Sequence, residues 1–378
     1  MADKKSKRKQ RRSGNGFVEA INGLLSLVLL VLVIAGGIFI YGVASFNSSG
    51  PIDEDTTFLV EPGNALVTVA NRLEEQGLIS NAYIFRFGAV ALRRDTDIKA
   101  GEFNIAAHSS MSDILRELAD GTPIQWGVTV PEGFTSWQVV ERVNADENLT
   151  GTITQLPAEG SLLPGTYSYR RGDSRQSIIE QMSAAMERAK NEVWESRDPD
   201  LPISTPEELV ILASIVERET GLASERPQVA GVFINRLRIG MRLQSDPTII
   251  YGITLGQGSL GRGLRRSEID EATPYNTYQI DGLPPTPIAN PGIESLRAVA
   301  NPEEHDYLYF VAAGAVPSMG HVFAETYAEH QRNVAAYRQI EREAAAARAE
   351  AEAQAAMDEI AQAEAEEAGV SGDEEQQD

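Results

Sequence analysis

Two carboxylates close the apolar stretch Ile211-Leu-Ala-Ser-Ile-Val-Glu217-Arg-Glu219-Thr-Gly221. A helix that is hydrophobic on all sides is buried in the core of its domain, so this stretch sets the expected fold around it. Thr205-Pro206-Glu207-Glu208 predicts where the helix begins, because threonine caps it, proline suits the first turn and Glu208 completes a capping box. Gly221 predicts where it ends.

Glu217 is the candidate catalytic residue of this helix. Burial penalises a charged carboxylate and so favours a protonated acid at neutral pH, which is what a general acid for a glycosidic oxygen requires. The structural alternative is an ion pair of Glu217 with Arg218, Arg236 or Arg242 at the helix end. Glu219, two residues further on, points to another face and is expected to be structural.

The block downstream, up to residue 292, is rich in polar side chains between short apolar runs. Asn235 has a structural alternative as the polar ridge of an ordinary helix, and Asp246 before Pro247 could simply initiate a turn. Six side chains are candidates for substrate binding: Asn235, Gln244, Asp246, Tyr275, Asn276 and Tyr278.

The N-terminal region predicts a single membrane anchor. Residues 23–46 carry no charge and are long enough to cross the hydrocarbon core, whereas the apolar part of a signal peptide is usually shorter. A cleavable signal peptide and a buried core helix are the alternatives. Because basic flanks stay in the cytoplasm, residues 1–16 are expected inside, 17–46 in the membrane and the rest outside, after a linker over 47–57.

Residues 58–145 contain three similar strand–turn–helix patterns. Phe58-Leu-Val-Glu-Pro62-Gly63 precedes a first helix pattern, Lys99-Ala-Gly-Glu-Phe-Asn-Ile105 a second and Val128-Thr-Val130-Pro131-Glu132-Gly133 a third. Small units of this kind cannot bury their faces alone and are expected to pack together. One interpretation is a scaffold. The other is a glycan-binding module, because LysM domains are built from such units.

The C-terminal half is expected to hold a catalytic domain over 146–335, followed by an Ala/Glu-rich helical extension over 336–368. The last thirty residues contain eleven carboxylates and no Lys or Arg. The final segment, 369–378, is therefore predicted to be a disordered acidic tail.

Composition excludes several functional classes. The net charge of -22 argues against nucleic acid as a partner. There is no cysteine, so neither disulfides nor thiolate chemistry is available. The four histidines lack metal-ligand spacing, and no phosphate-binding glycine loop occurs. We therefore expect neither a metal nor a cofactor.

The region from 211 to 292 contains four motifs: Ile215-Val-Glu217-Arg-Glu219-Thr, Phe233-Ile-Asn-Arg-Leu, Leu243-Gln-Ser-Asp246-Pro-Thr and Tyr275-Asn-Thr-Tyr278. These motifs resemble those of the YceG-like (MltG) family of endolytic murein transglycosylases. They occur in order with plausible spacing, and the resemblance extends over about 18–334. One position departs from the family, since Leu163-Pro-Gly165-Thr-Tyr stands where the family has an acidic residue in Phe-Pro-Asp-Thr-Tyr.

This resemblance implies an α+β fold with one transmembrane helix, a LysM-like α/β subdomain, a mixed α+β catalytic domain and a helical C-terminal extension. It implies an enzyme of the bacterial inner membrane whose periplasmic domain cleaves peptidoglycan strands between N-acetylmuramic acid and N-acetylglucosamine. The product would be a 1,6-anhydromuramoyl end, with Glu217 acting as acid and then as base. Peptidoglycan synthases are further expected partners. A muramidase-type hydrolase that pairs Glu217 with Asp246 and a non-enzymatic wall-binding protein are the alternatives.

Overall fold

A computed structural model describes residues 16–373, so residues 1–15 of the predicted basic segment and the end of the acidic tail lie outside the described residues. The fold is mixed α+β. The chain divides into two compact units: unit 1 consists of the residues up to 126 together with 170–172, and unit 2 consists of 127–169 and the residues from 173 onward.

Unit 1 contains a long apolar helix followed by a small α/β body. Its strands pair antiparallel, with Thr56 opposite Ile105 and Val60 opposite Gly101. The elements in chain order are α1 (Gly16–Asn47), β1 (Thr56–Val60), α2 (Leu66–Glu75), α3 (Ala82–Ala91), β2 (Gly101–Ile105) and α4 (Met111–Asp120).

The predicted membrane segment is a helix, and its apolar side chains are exposed. Within α1, residues 20–47 form the one helix in the described part of the chain that is long and apolar enough to cross a bilayer. The end of α1 packs into the core of unit 1 through Phe46, which is only 7% exposed. The connection between α1 and β1 covers residues 48–55 and is slightly shorter than the predicted linker over 47–57, because β1 already begins at Thr56.

The first two predicted strand–turn–helix units are present as β1–α2 and β2–α4. The helix between them, α3, was not predicted from the repeat. It begins where the Asn81 side chain accepts a hydrogen bond from the backbone nitrogen of Ile84. Its buried face then completes the core that the strands and α2 leave open.

Unit 2 is mostly helical, with two short two-stranded sheets. Strands β5 and β6 form an antiparallel hairpin in which Tyr309 lies opposite Ala324. The elements are β3 (Trp126–Val130), α5 (Ser136–Asn144), β4 (Gly165–Tyr169), α6 (Arg175–Glu195), α7 (Pro206–Glu219), α8 (Arg226–Arg238), α9 (Asp246–Thr254), α10 (Arg266–Asp270), α11 (Ile293–Ala300), β5 (Tyr309–Ala312), β6 (His321–Ala324) and α12 (Tyr327–Asp373).

The third predicted unit, β3–α5, belongs to unit 2. Strand β3 pairs with β4, and Val139 and Val143 of α5 share a core with Ile178 and Met182 of α6. The predicted domain boundary at 145/146 therefore falls inside a compact unit. Local sequence similarity to the first two units could not reveal this, because the partners of β3 and α5 come later in the chain.

Helix α7 forms the centre of the larger core of unit 2. Residues 209–216 are all buried, and α7 packs against α6, α8 and α11. Thr205 caps its start by accepting a hydrogen bond from the Glu208 nitrogen, as predicted. The predicted capping box is not formed, since the Glu208 carboxylate accepts from Ser204 instead.

The predicted helical extension over 336–368 is part of α12, which starts earlier and continues to Asp373. Residues 369–373 of the predicted acidic tail are the last turn of this helix, and 374–378 lie outside the described residues. From Ala344 onward the side chains of α12 that the structure describes are almost all exposed. This part of the helix therefore contributes little to the core.

Candidate active site

The last turn of α7 carries both carboxylates of the opening stretch. Every residue from Leu209 to Val216 is buried, and Glu217 and Glu219 follow on different sides of the helix. Their surroundings differ completely.

The Glu217 carboxylate is held by three donors. Its Oε1 lies 2.9 Å from Nη2 of Arg226, and its Oε2 accepts from the Gly292 nitrogen at 2.9 Å and the Ser295 hydroxyl at 2.8 Å. The side chain is only 4% exposed. Arg226 also contacts Glu132, at 2.7 Å. Glu217 thereby ties the end of α7 to the starts of α8 and α11.

These contacts favour the structural alternative for Glu217. Both oxygens of the Glu217 carboxylate already accept hydrogen bonds from groups of the protein. The partner is Arg226, and none of Arg218, Arg236 and Arg242, which the sequence suggested. A buried carboxylate with its own arginine and two further donors is typical of a group that holds elements together.

Among the described residues, the Glu219 carboxyl group has a single hydroxyl donor, Ser245, and lies near the negative charge of Asp246. Burial raises its pKa to about 7, and the nearby negative charge of Asp246 acts in the same direction. The Ser245 hydroxyl donates a hydrogen bond to it, and this bond together with the charge of Arg236 partly offsets the rise. A carboxylic acid that keeps its proton near neutral pH can serve as a general acid.

A pair of buried threonines positions Ser245 in front of Glu219. The Ser245 nitrogen donates to the Thr277 hydroxyl at 2.9 Å, and the Thr248 hydroxyl donates to the Ser245 carbonyl at 2.7 Å. The two threonine hydroxyls lie 2.9 Å apart, and both residues are fully buried. This network fixes the loop before α9 against the loop that contains Thr277.

Three of the six predicted binding residues lie around this loop. The Tyr278 hydroxyl donates to Oδ1 of Asp246 at 2.7 Å, and Asp246 is exposed at the start of α9. Gln244 is also exposed and adopts a left-handed backbone with φ +52°. Non-glycine residues rarely adopt this conformation, and such strain is often found at ligand sites.

The other three predicted binding residues use their side chains within the protein. The Asn235 amide donates to the carbonyls of His305 and Tyr307, so it holds the segment before β5. Asn276 is fully buried, and its amide donates to three carbonyls in and just after α10. The Tyr275 hydroxyl bonds with Thr286. These contacts support the loops of the site and leave little of the side chains for substrate.

The comparisons with known proteins agree with this arrangement of motifs. The sequence profile of the YceG-like family matches residues 58–336, which is most of the chain. The chain belongs to the YceG-like family.

Two curated relatives carry the name endolytic murein transglycosylase. One, from Streptococcus pneumoniae, is 31% identical over 361 residues, covering 82% of this chain and 64% of the relative. The chain thus spans less than two thirds of that protein's length. The other, from Bacillus subtilis, is 27% identical and covers 79% of this chain and 90% of the relative. A crystal structure of a YceG-like protein from Listeria monocytogenes, 27% identical, covers 74% of this chain and 98% of that one with a TM-score of 0.45.

The position that departs from the family motif, Gly165, lies at the start of a strand. Gly165 begins β4 with φ +152°, a conformation that residues with a side chain rarely adopt. Two residues later, the Tyr167 hydroxyl donates to the Leu163 carbonyl at 2.7 Å and closes this turn. The turn before β4 is therefore held by the backbone conformation of Gly165 and the hydroxyl of Tyr167.

Three residues of this candidate site are not among the residues that the sequence predicts for it. They are Glu219, for which the sequence predicts a structural role, Ser245 and Arg236. No periodicity could separate Glu219 from Glu217, because the whole preceding helix is buried. Arg236 lies in an ordinary helical pattern, yet it is buried and donates to the Leu308 and Leu243 carbonyls.

The raised pKa of Glu219 predicts how strand cleavage depends on pH. If Glu219 must be protonated, kcat/KM falls as the pH rises through about 7. Ser245→Ala removes a bond that lowers this pKa, so the falling limb should move to higher pH. Asp246→Asn removes a charge that raises it, so the limb should move to lower pH. Rates of glycan cleavage measured across neutral pH test both shifts.

The opposite directions of the two shifts are the decisive feature of this experiment. A change in the substrate or a general loss of stability would move both variants in the same way. Shifts in the same direction, or a wild-type profile without a falling limb near neutral pH, would contradict the role of Glu219.

Proposed function

We propose that this chain is an endolytic peptidoglycan lytic transglycosylase with Glu219 as its general acid. The observation that carries the proposal is the desolvated Glu219 carboxyl, whose pKa is raised to about 7, beside Ser245, Asp246 and Tyr278. Relatives whose sequences align with most of this chain are named endolytic murein transglycosylases. We assign this role to Glu219 in place of the predicted Glu217, because the Glu217 carboxylate is bound by Arg226, Gly292 and Ser295.

One carboxyl group can perform both proton transfers of the reaction. Protonated Glu219 gives its proton to the oxygen between N-acetylmuramic acid and N-acetylglucosamine, and the bond from muramoyl C1 to that oxygen breaks. The resulting carboxylate takes the proton of the muramoyl C6 hydroxyl while the oxygen on C6 bonds to C1. The products are a free N-acetylglucosamine 4-hydroxyl and a 1,6-anhydromuramoyl end, and Glu219 is protonated again.

Glycan strands are the proposed ligand of the face around Asp246. Gln244 and Asp246 are exposed beside Glu219, and Tyr278 orients the Asp246 carboxylate. Hydroxyl and N-acetyl groups of a sugar chain offer donors and acceptors that match such side chains. Asn235, Tyr275 and Asn276 are proposed to act by holding the loops of this face.

The exposed carboxylate of Asp246 also favours a second candidate, a muramidase-type hydrolase. Hydrolysis needs a second carboxylate to activate water or to form a covalent intermediate, and Asp246 is close enough to influence the charge of Glu219. The two reactions leave different ends on the muramic acid.

Mass spectrometry of digested peptidoglycan separates the two candidates. The transglycosylase produces 1,6-anhydromuramic ends and takes up no water. Purified strands are digested with the full chain in water enriched in heavy oxygen. Unlabelled anhydro ends are the expected result, whereas labelled reducing muramic ends would identify a hydrolase. A chain that binds strands without releasing products would be a wall-binding protein.

The proposed location of the protein rests on α1 and on the basic residues that precede it in the sequence. The apolar side chains of α1 are exposed in unit 1, as expected for a helix in lipid. With the basic segment inside, the remainder of the chain would lie in the periplasm, where peptidoglycan synthases are proposed partners. For 58–145 the LysM-like, glycan-binding interpretation stays a prediction, supported by the strand–helix–helix–strand order of β1, α2, α3 and β2.

A further inference from the structure

Helix α3 has apolar side chains on two opposite faces. One face, with Ala82, Phe85 and Ala89, is buried in the core of unit 1. The other face carries an apolar stripe that is defined by residues spaced four and three apart: Tyr83, Phe87 and Val90, with 74%, 81% and 57% of their surfaces exposed. Large adjacent apolar groups of this kind indicate a surface that another apolar phase covers.

The last turn of α1 packs directly against α3. Phe46 of α1 is buried, and a Cβ atom at Gly88 of α3 would lie only 2.2 Å from its ring. Only glycine at this position allows the two helices to approach so closely. Since Gly88 follows Phe87, the apolar stripe is held at a defined place beside the end of the proposed membrane helix.

The length of α1 sets the depth of this contact in a bilayer. A hydrocarbon core of about 30 Å requires roughly 20 helical residues. The uncharged residues 24–43 supply that length. With these residues in the hydrocarbon core, Phe46 at the end of the predicted membrane segment would lie about one turn beyond the core, at the level of the lipid headgroups. Helix α3, packed on Phe46, would then lie at the boundary between membrane and water.

The polar groups on and next to the stripe suit the same boundary. The Arg86 guanidinium lies 5.9 Å from the centre of the Tyr83 ring on the same face of α3. Arg93, just after the helix, is exposed. Tyrosine is enriched in the interfacial layer, and arginine can bury its stem while its charge reaches lipid phosphates.

We propose that the apolar stripe of α3 lies in the interface of the bilayer that α1 crosses, on the side where α1 ends. The covering phase is phospholipid: the acyl chains next to the headgroups contact Tyr83, Phe87 and Val90, and phosphates contact Arg86 and Arg93. Unit 1 is then attached to the membrane by a spanning helix and by a second helix that lies in its surface. The inference rests on the proposed membrane anchor.

Single labels on the full chain in lipid vesicles test this contact, because the chain contains no cysteine of its own. Val90→Cys places a polarity-sensitive fluorophore on the stripe. Val33→Cys, in the middle of α1, reports on the anchor, and Asn104→Cys marks an exposed polar position on β2. The vesicles contain phosphatidylethanolamine and phosphatidylglycerol, with spin-label quenchers on the acyl chains either just below the headgroups or near the chain ends.

The expected result is quenching at position 90 by the shallow label, quenching at position 33 by the deep label, and little quenching at position 104. Quenching at 33 without quenching at 90 would overturn the inference and leave the anchor intact. Absence of quenching at 33 would remove the anchor and the inference together. Equal quenching at 104 and 90 would show that the stripe is not the specific contact.

A substitution arm tests whether the stripe itself makes the contact. Phe87→Ser, at a side chain too exposed to affect the core, should reduce the shallow quenching at position 90 by about half or more. Val67→Ser removes an apolar side chain that is 43% exposed on α2 and should leave the quenching unchanged. Equal effects of the two substitutions would contradict a specific role for the stripe.

Discussion

Glu219→Gln is expected to slow glycan strand cleavage by about a hundred- to ten-thousand-fold, the usual range for the loss of a general acid. The amide keeps the size and the Ser245 contact of the side chain but cannot give a proton to the glycosidic oxygen. Burial raises the pKa of Glu219 and so disfavours its charged form. Replacing this carboxyl group with a neutral amide should therefore not destabilise unit 2. Release of products from purified strands, measured with thermal unfolding of the same samples, checks both statements.

Glu217→Gln is the matched control, two residues away on the same turn. It should retain most of the rate per folded molecule and should lower the thermal stability, because it breaks the ion pair with Arg226. The opposite outcome, with Glu217→Gln inactive and stable and Glu219→Gln active, would restore the assignment that the sequence suggested. The comparison is informative because both changes are isosteric and both sites lie at the end of α7.

Arg226→Met should lower the free energy of unfolding of unit 2 by about 3–5 kcal/mol, as expected when one partner of a buried ion pair is removed. The Arg226 side chain is 10% exposed and the Glu217 side chain 4% exposed. Without the guanidinium, the Glu217 charge would remain buried with only the Gly292 and Ser295 donors. Chemical denaturation followed by fluorescence or circular dichroism measures the loss.

An exposed pair in the same unit provides the control for this prediction. Arg297 and Glu294 lie 2.7 Å apart, a distance close to that of the buried pair, but their side chains are 52% and 55% exposed. Arg297→Met should therefore cost no more than about 1 kcal/mol. The double variant Glu217→Gln, Arg226→Met should recover part of the stability, since no buried charge is left. A similar small loss for Arg226→Met and Arg297→Met would contradict the structural role of the pair.

The sequence predicted those elements whose evidence is local. The long apolar run predicted α1, the Thr205-Pro206 start predicted α7, and the strand and helix patterns predicted β1–α2 and β2–α4. One element, α3, and one strand pairing, that of β3, were not predicted, for non-local reasons. Helix α3 completes a core that other segments form, and β3 pairs with β4, which follows it by more than thirty residues. Neither relation leaves a pattern within a short window.

By itself, the sequence determined the family, the proposed anchor and the presence of a carboxylate at the end of a buried helix. Only the tertiary structure decided which carboxylate is available for chemistry. Glu217 and Glu219 have the same local surroundings in the chain, and they differ because Arg226 and α11 reach the first while Ser245 and Asp246 reach the second. The protonation of a buried acid depends on desolvation and on neighbouring charges, and folding brings these from distant segments.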